Sequence, residues 1–188
     1  ILTLEDGEQL TSRTIILCTG ARPRKIDVPG EEELQGKGVS YCATCDGPFY
    51  REQEIAVVGG GNTAIQEALH LTKFASKVTV IHRRDELRAT KILQEKAFAE
   101  PKIEFLWNAG VNEIVGGEHG VKSLNIVFTD GSTTRLPVTG IFILIGVVPN
   151  NEVLPLDQLE TDDSGFIVTD TEMQTTLPGV FAAGDIRS

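Results

Sequence analysis

Ile-Ala-Val-Val-Gly-Gly-Gly-Asn-Thr-Ala, residues 55–64, is the stretch of sequence that decides the fold of this chain. Its apolar half predicts a short buried strand, and its second half matches the pattern G-x-G-x-x-A. In that pattern Gly59 permits a tight turn, Gly61 lets the backbone approach a pyrophosphate, and Ala64 lets a helix pack closely on the strand. The stretch therefore predicts a dinucleotide-binding strand–turn–helix unit.

The residues that follow extend this unit into a β-α-β pattern. A helix is predicted over residues 62–74, because its apolar residues fall on one face, and Asn62 or Thr63 could cap it. The next strand is predicted at residues 77–81, and a second helix at residues 86–98. A strand, a helix and a second strand in this order favour a parallel sheet.

The sequence beyond the second helix predicts further strands. Alternating apolar residues between turn residues predict an antiparallel meander, at residues 103–107, 111–115, 122–129 and 133–138. A continuous apolar run predicts a buried strand at residues 139–146. The predicted fold class is therefore α/β, a Rossmann-like, three-layer domain with an inserted antiparallel meander.

A basic cluster follows the second predicted strand of this unit. A Rossmann domain that prefers NAD places an acidic residue about 20 residues beyond the glycines, but this chain has His82, Arg83 and Arg84 there, with Arg88 close behind. Because arginine matches phosphate oxygens bidentately, the cluster predicts recognition of a 2′-phosphate, and hence NADPH rather than NADH. The alternative is a solvated helix start, with these arginines paired to the acidic residues at positions 85 and 86.

The chain has three cysteines, Cys18, Cys42 and Cys45. The C-x-x-C pair formed by the last two suits a reducing cytoplasm, either as a redox pair or as half of a zinc site. Asp46 follows directly and could move a proton to or from a leaving thiolate. A zinc site needs four ligands and the sequence offers no second pair, so the redox pair is favoured. Cys18 is predicted to be a small buried apolar residue.

Short strands are also predicted near both ends of the chain, at residues 1–5, 9–17, 166–169 and 180–183. The first two flank Asp6-Gly7, which is a hairpin signal. The only methionine is Met173. We therefore expect the chain to be a piece of a longer protein.

Composition narrows the class of protein. The 188 residues correspond to one domain or slightly more. A formal net charge of −10 argues against nucleic acid as a partner, because the field of the chain repels polyanions. No apolar run approaches the roughly 20 residues that a membrane-spanning helix requires, and no leader pattern opens the chain. We expect a protein of the cytoplasm.

Four motifs together resemble bacterial-type, low-molecular-weight thioredoxin reductases, and the resemblance extends over the whole chain. They are Tyr-Cys-Ala-Thr-Cys-Asp-Gly-Pro at 41–48, Val-Val-Gly-Gly-Gly-Asn-Thr-Ala at 57–64, His-Arg-Arg-Asp-Glu-Leu-Arg-Ala at 82–89 and Gly-Val-Phe-Ala-Ala-Gly-Asp at 179–185. Each motif is modest by itself, but their order and spacing are specific.

The resemblance implies a domain organisation. An NADPH-binding domain would be inserted into an FAD-binding domain that is split in the sequence. Residues 26–146 would form the NADPH-binding domain, and residues 1–25 and 147–188 would supply partial strands of the FAD-binding domain. The NADPH-binding domain would rotate on two connectors, near Lys25 and Gly146, so that it can present two sites in turn to one flavin.

The resemblance also implies roles for the cysteines. Cys42 and Cys45 would form the redox-active disulfide, and Asp46 would protonate the departing thiolate. Cys42, as the outer cysteine, would attack the disulfide of thioredoxin, and Cys45 would lie nearer the flavin.

Cofactor contacts follow from the resemblance in the same way. It assigns the NADPH pyrophosphate and ribose to Gly59, Gly61, Asn62 and Thr63. It assigns the 2′-phosphate to Arg83, Arg84 and Arg88, with His82 beside the adenosine. It assigns contacts with FAD to Thr19, Gly20, Gly184 and Asp185, and Asp185 would reach the ribityl chain.

One departure from the family limits these expectations. The family's FAD-binding domain opens with a glycine pattern of its own, and this chain has only the pattern at Gly59. The adenosine side of the FAD site and the C-terminal helix of the family's flavin pocket are therefore expected to be missing. We expect the chain to bind NADPH without turning over thioredoxin, and the parent protein to be a homodimer that uses no metal.

Other interpretations remain open at this stage. The flavoprotein subunit of alkyl hydroperoxide reductase shares the module and a similar C-x-x-C pair. A relative that takes electrons from ferredoxin lacks an intact NADPH motif, and the His-Arg-Arg triplet argues against it. A nucleotide-binding module without catalytic activity and a zinc-binding module are the remaining alternatives.

Overall fold

The computed structural model describes residues 1–188, and Leu2 is described by its backbone alone. The chain divides into two compact units. Residues 23–146 form one of them, which we call the central unit. Residues 1–22 together with residues 147–188 form the other, which we call the terminal unit.

The strands and helices follow one another in a simple order. The chain begins with the short strands β1 (Leu2–Thr3), β2 (Gln9–Leu10), β3 (Ile15–Leu17) and β4 (Ala21–Pro23). It continues with β5 (Val39–Ser40), α1 (Ala43–Asp46), a 3₁₀ turn (Gly47–Tyr50), β6 (Glu54–Val58), α2 (Asn62–Leu71), β7 (Lys77–Ile81) and α3 (Lys91–Ala99). It ends with β8 (Ile103–Leu106), β9 (Ala109–Gly117), β10 (Gly120–Phe128), β11 (Thr133–Pro137), β12 (Gly140–Ile143), β13 (Val147–Pro149) and β14 (Val180–Ala182).

A five-stranded parallel sheet organises the central unit. Its strand order is β5-β12-β6-β7-β8, and every neighbouring pair is parallel. From β6 the chain moves outward through β7 to β8, and then returns to the other side of β6 with β12. The order therefore reverses between β12 and β6, and crevices at such positions are where parallel α/β sheets bind ligands.

Both faces of this sheet are covered, because the side chains of each strand alternate between them. Ile55 and Val57 of β6 pack with residues of α2 in one core. Ala56, between them, packs with Ile114 and Leu124 of the β9-β10-β11 meander in a second core. Helices, sheet and meander thus form three layers, and the predicted α/β class is confirmed.

Two predictions for the central unit are wrong in part. Residues 103–107 were expected to begin the meander, but β8 pairs with β7 and forms an edge of the parallel sheet. The helix expected over residues 86–98 begins only at Lys91. Residues before it are drawn away from helical bonding, because the backbone N–H groups of Arg88 and Ala89 donate to the carbonyl oxygen of Gly60.

The helix α2 ends at Leu71, earlier than the expected Phe74. The ammonium group of Lys102 donates to the carbonyl oxygens of Thr72 and Ala75, at 2.9 Å each. A cation at this position satisfies free carbonyl groups at the carboxyl end of the helix and complements its dipole. The strand predicted at residues 77–81 is confirmed as β7.

The terminal unit consists of two-stranded ribbons: β1 with β2, β3 with β14, and β4 with β13. The hairpin expected at Asp6-Gly7 is present, with Gly7 at a φ of 87°. The single strand expected over residues 9–17 is instead β2 and β3, because β2 pairs with β1 and β3 pairs with β14. Residues 166–169 are not a strand, since only Ile167 makes isolated bridges.

Cys18, expected to be buried, is a free and exposed cysteine, because β3 ends one residue before it. Among the helices that the structure describes, none has the length and apolar character needed to cross a membrane.

Candidate functional site

The candidate residues of the central unit gather at one edge of its sheet. Because all five strands are parallel, their carboxyl ends lie at the same edge. Cys42 follows β5, Leu144 follows β12, Gly59 follows β6 and His82 follows β7. The disulfide motif, the glycine pattern and the basic cluster are thus brought to the edge where such sheets bind ligands.

The glycine turn, residues 59–61, is closely packed at two of its three positions. Gly59 has a φ of +147°, and a Cβ atom there would lie 2.5 Å from the carbonyl oxygen of Leu144 and 2.6 Å from Cβ of Ala64. A Cβ atom on Gly60 would overlap the imidazole of His82. A Cβ atom on Gly61 would meet nothing within 4 Å. The third glycine therefore faces open space, which a ligand can fill.

The amino end of α2 points to this space without a side-chain cap. Its N-cap residue is Gly61, and no side chain accepts a hydrogen bond from the first turn. The expected cap by Asn62 or Thr63 is therefore wrong. The Asn62 side chain instead accepts a hydrogen bond from the backbone N–H of Thr90, with an N–O distance of 2.8 Å. An uncapped amino end presents free N–H groups and the positive end of the helix dipole to an anion.

The basic residues lie on a loop of residues 83–90, which we call the arginine loop. The backbone N–H groups of Arg88 and Ala89 donate to the carbonyl oxygen of Gly60, at 2.8 and 3.1 Å. Gln94 of α3 donates from Nε2 to the carbonyl oxygen of Ala89 at 2.7 Å. Two residues of the loop itself, Leu87 and Ala89, are buried. Backbone bonds and small apolar contacts therefore fix the loop against the glycine turn.

The arginine side chains themselves stay exposed. Arg83, Arg84 and Arg88 all lie at the surface, and none of them forms an ion pair within the part of the chain that the structure describes. The alternative in which they pair with the neighbouring acidic residues is therefore not what the structure shows. Unpaired guanidinium groups beside an uncapped helix end suit a phosphate group.

His82 is buried between the glycine turn and Trp107. Only 6% of it is exposed, and its ring meets the ring of Trp107 edge to face, with centroids 6.4 Å apart. Burial lowers the pKa of His82, and the charges of the three arginines lower it further, against a backbone hydrogen bond with Glu86. Its Nε2 atom has no hydrogen-bond partner among the described residues. The lowered pKa favours the neutral imidazole, and one polar atom of the ring is left unsatisfied.

Cys42 and Cys45 are joined by a disulfide at the start of α1. Cys42 is the N-cap residue, and its sulfur accepts a hydrogen bond from the N–H of Cys45 at 3.2 Å. Ser40 accepts from the N–H of Cys42 at 3.1 Å. Cys42 is half-buried and Cys45 is exposed. The expected roles, with Cys42 as the outer cysteine and Cys45 nearer the flavin, stay predictions.

Asp46 lies half-buried at the end of the same helix. The pKa of Tyr50 is raised first by the burial of Tyr50 and then by the negative charge of Asp46. The ring of Tyr50 packs edge to face on Phe142, with centroids 5.3 Å apart. The carboxyl group of Asp46 therefore lies within electrostatic reach of the Tyr50 hydroxyl, and Asp46 directly follows Cys45 in the sequence.

Sequence reasoning missed a buried carboxylate next to the disulfide motif. Glu31 is 1% exposed. Its Oε1 atom accepts from the hydroxyl of Tyr41 at 2.7 Å, and its Oε2 atom accepts from the N–H of Asp27 at 2.7 Å. Burial first, and then this hydrogen bond, raise the pKa of Tyr41. In the run Glu31-Glu32-Glu33 no sequence signal distinguishes the buried member from its exposed neighbours.

The candidate residues of the terminal unit also meet at one edge. Strands β3 and β14 are parallel neighbours, so Thr19-Gly20 and Gly184-Asp185 follow their carboxyl ends side by side. Gly184 has a φ of +77°, and a Cβ atom there would meet nothing within 4 Å. Asp185 is exposed. The four residues thus follow the carboxyl ends of two paired strands, and Gly184 faces open space.

Within the described part of the chain, no three or more His, Cys, Asp or Glu side chains are grouped so that they could hold a metal ion.

Comparison with known proteins places the chain in a family. It matches the model for pyridine nucleotide-disulphide oxidoreductases over residues 2–188. It is 53% identical over 178 residues to the thioredoxin reductase of Listeria monocytogenes serovar 1/2a, which is 94% of this chain and 56% of that protein. For the thioredoxin reductase of Bacillus subtilis (strain 168) the identity is 47% over 183 residues, or 96% of this chain and 57% of that protein.

Solved structures agree with this placement. The crystal structure of Lactococcus lactis thioredoxin reductase, in its FR conformation, matches with a TM-score of 0.83 and 48% identity, over 93% of this chain and 57% of that chain. The chain thus spans a little over half the length of the relatives it matches. On its sequence and its fold together, this chain belongs to the pyridine nucleotide-disulphide oxidoreductase family.

Proposed function

We propose that this chain is the NADPH-binding and disulfide-bearing part of a thioredoxin-disulfide reductase. Such an enzyme passes electrons from NADPH through FAD to the Cys42–Cys45 disulfide, and then to thioredoxin. The observation that carries the proposal is that this disulfide and the glycine turn follow strands of one parallel sheet, at the same edge. The relatives named thioredoxin reductase support it.

The residues of the central unit fit a dinucleotide. The open position at Gly61 leaves room for a pyrophosphate, and the uncapped amino end of α2 supplies N–H groups at Asn62 and Thr63. Gly59 keeps the turn tight enough for this approach. His82 lies directly behind Gly60 with its Nε2 atom buried, and we place it on the adenosine side of the ligand.

The arginine loop supports NADPH rather than NADH. In this proposal the exposed guanidinium groups of Arg83, Arg84 and Arg88 bind the 2′-phosphate of the adenosine ribose. Backbone hydrogen bonds to Gly60 hold the loop in place before the ligand arrives, so little ordering is needed on binding. NADPH supplies the hydride when it is bound, and the residues of this chain orient it.

The cysteines carry the second half of the reaction. After two-electron reduction, the Cys42 thiolate attacks one sulfur of the thioredoxin disulfide, and the other thioredoxin sulfur leaves as a thiolate. The Cys45 thiolate then attacks the Cys42 sulfur, which releases dithiol thioredoxin and restores the Cys42–Cys45 disulfide. Asp46 moves the protons that accompany the thiolates. Two electrons and two protons reach thioredoxin in each cycle.

FAD is assigned to the parent protein. Thr19, Gly20, Gly184 and Asp185 sit at the carboxyl ends of adjacent parallel strands, which supports contacts with a flavin nucleotide. When bound, FAD supplies the two-electron relay between hydride and disulfide. We propose that the 188-residue chain alone retains NADPH binding but not turnover, and that the parent protein works in the cytoplasm as a homodimer.

Cofactor titration of the purified chain tests the NADPH assignment. The chain should bind NADPH without visible flavin absorbance, and it should not reduce thioredoxin. The double change Arg83→Ala with Arg84→Ala should weaken NADPH on the order of 100-fold, from about 1.5 kcal/mol for each charge-assisted contact, and NADH hardly at all. Stoichiometric yellow flavin would contradict the proposal for the chain, and equal losses would contradict the 2′-phosphate assignment.

A trapping experiment tests the roles of the cysteines. In a Cys18→Ala background, the reduced Cys45→Ser variant should form a stable mixed disulfide with a thioredoxin that lacks its resolving cysteine. The Cys42→Ser variant should trap much less. Trapping only through Cys45, the more exposed cysteine in this chain, would reverse the assigned roles. Trapping by neither variant would contradict thioredoxin as the partner.

A further inference from the structure

The side chain of Asn62 forms a hydrogen bond that the family resemblance does not imply. It belongs to the glycine pattern, where its expected role is contact with the pyrophosphate and ribose. In the structure its Oδ1 atom accepts the backbone N–H of Thr90, 28 residues away, at 2.8 Å. Thr90 is the last residue of the arginine loop and the N-cap residue of α3. Asn62 therefore ties the glycine turn to the arginine loop.

This hydrogen bond is one of three that join the arginine loop to the glycine turn. Three consecutive N–H groups of the loop, those of Arg88, Ala89 and Thr90, donate to acceptors in or next to the glycine turn. The first two share the backbone carbonyl of Gly60, which no substitution can remove. The third uses the Asn62 side chain. Of the three hydrogen bonds, only the one to Asn62 therefore depends on a side chain that a substitution can change.

We propose that Asn62 is a positioning residue that selects the 2′-phosphorylated cofactor. The inference rests on the proposed NADPH function and adds a determinant to it. Asn62 acts through the arginine loop, since its bond to Thr90 holds the carboxyl end of the loop two residues after Arg88. Without that bond, this part of the loop must be ordered when the 2′-phosphate binds, and that ordering weakens the complex.

A positioning role of Asn62 predicts different effects on the binding of NADPH and of NADH. The pyrophosphate, which NADPH and NADH share, depends on Gly61 and the amino end of α2. The 2′-phosphate, which only NADPH carries, depends on the arginine loop. A residue that contacts the shared pyrophosphate should affect both cofactors equally. A residue that positions the arginine loop should affect NADPH alone.

The test is the Asn62→Ala variant of the 188-residue chain, titrated with four ligands. Two of them, NADPH and 2′,5′-ADP, carry the 2′-phosphate, and NADH and 5′-AMP lack it. We expect Kd to rise about tenfold for the first pair and less than about twofold for the second. The matched control is Asn125→Ala, which also removes one side-chain hydrogen bond, to Glu113 in the meander, and should leave all four values unchanged.

A second variant removes the donor instead of the acceptor. Thr90 has a φ of −60°, which proline adopts, so Thr90→Pro deletes the N–H and keeps this backbone angle. It should show the same selective loss. Combined with Asn62→Ala it should lose no more than either change alone, because both act on one hydrogen bond.

The outcomes distinguish the inference from the function on which it rests. A wild-type chain that prefers NADPH, with equal losses for both cofactors in Asn62→Ala, would overturn the inference alone. Selective loss in Asn62→Ala that is additive with Thr90→Pro would also overturn it. A wild-type chain without preference for the 2′-phosphate would contradict the proposed function, and the inference with it.

Discussion

The central and terminal units belong to one chain, but they are built very differently. The central unit has a five-stranded sheet covered on both faces. The terminal unit has two-stranded ribbons around a core of Leu159, Ile167, Ala182 and Ile186, and it leaves Val153 82% exposed. Isolated two-stranded ribbons are marginally stable in water. The contrast teaches that most of the buried core and the proposed nucleotide site both lie in the central unit.

The largest effect should come from emptying the core of the central unit. Phe142 is fully buried on β12, and Phe142→Ala should lower the free energy of unfolding by about 3–5 kcal/mol. Ile167, also fully buried, is the matched position in the terminal unit, where Ile167→Ala makes a smaller cavity. Trp107 is the only tryptophan and lies in the central unit, so its fluorescence in urea reports that unit alone. Phe142→Ala should shift its transition and Ile167→Ala should not.

An equal shift in both variants would break the comparison. It would mean that the two units unfold as a single cooperative block, and that the stability of the proposed nucleotide site depends on the terminal unit.

The second-largest effect should be a loss of NADPH affinity in Gly61→Ala, without a loss of stability of the central unit. Added Cβ atoms on Gly61 and Gly110 would each meet nothing within 4 Å. Both Gly61→Ala and Gly110→Ala should therefore keep the thermal midpoint within a few degrees. Gly61→Ala should nevertheless weaken NADPH tenfold or more, about 1.4 kcal/mol at least, because its methyl group fills the space of the pyrophosphate. Isothermal titration with NADPH measures the difference. Unchanged affinity in Gly61→Ala would place the ligand elsewhere.

The third effect concerns the buried carboxylate beside the disulfide motif. Glu31→Gln keeps one acceptor oxygen but turns the other into a donor, which then faces the N–H of Asp27 or the hydroxyl of Tyr41. We expect a loss of about 1–3 kcal/mol in the free energy of unfolding. Glu33→Gln, on an exposed residue of the same run, is the matched control. Urea titration of both variants should show a loss in Glu31→Gln only, and similar losses would assign no special role to Glu31.

The smallest effect is a dependence of stability on pH. The pKa of His82 is lowered in the folded chain from its ordinary value of 6.5. The unfolded chain therefore binds a proton where the folded chain does not, so the contribution of His82 is present above about pH 6.5 and is lost as the pH falls below it. Urea titrations of the wild-type chain between pH 7.5 and 5 should show this decline. His82→Asn should flatten it, and an unchanged slope would assign the decline to other groups.

Local patterns were sufficient for the centre of the fold. The apolar run before Gly59, together with the glycines at positions 59–61, predicted β6 and the turn. The strand predicted at residues 77–81 placed the arginines after the carboxyl end of β7. Partners distant in the sequence were not predictable in this way. Strand β8 resembles a meander strand locally, and only its pairing with β7 assigns it to the parallel sheet.

The same limit applies to the candidate site. The late start of α3 and the role of Asn62 depend on hydrogen bonds that join residues 60–62 to residues 88–90. No periodicity in either segment records these bonds. Glu31 is similar, because its burial is decided by Tyr41 and by the backbone at Asp27. The ligand-binding roles of the candidate residues remain predictions.

The way the arginine loop is attached has a consequence for how cofactor preference can change. Backbone N–H groups, the buried Leu87 and Ala89, and two amide side chains, Asn62 and Gln94, hold the loop. The guanidinium groups take no part in that attachment. The surface proposed to bind the 2′-phosphate is thus separable from the scaffold that supports it. If the three arginines bind the 2′-phosphate as proposed, evolution or design can replace them one at a time, toward a cofactor without the extra phosphate, while the central unit keeps its stability.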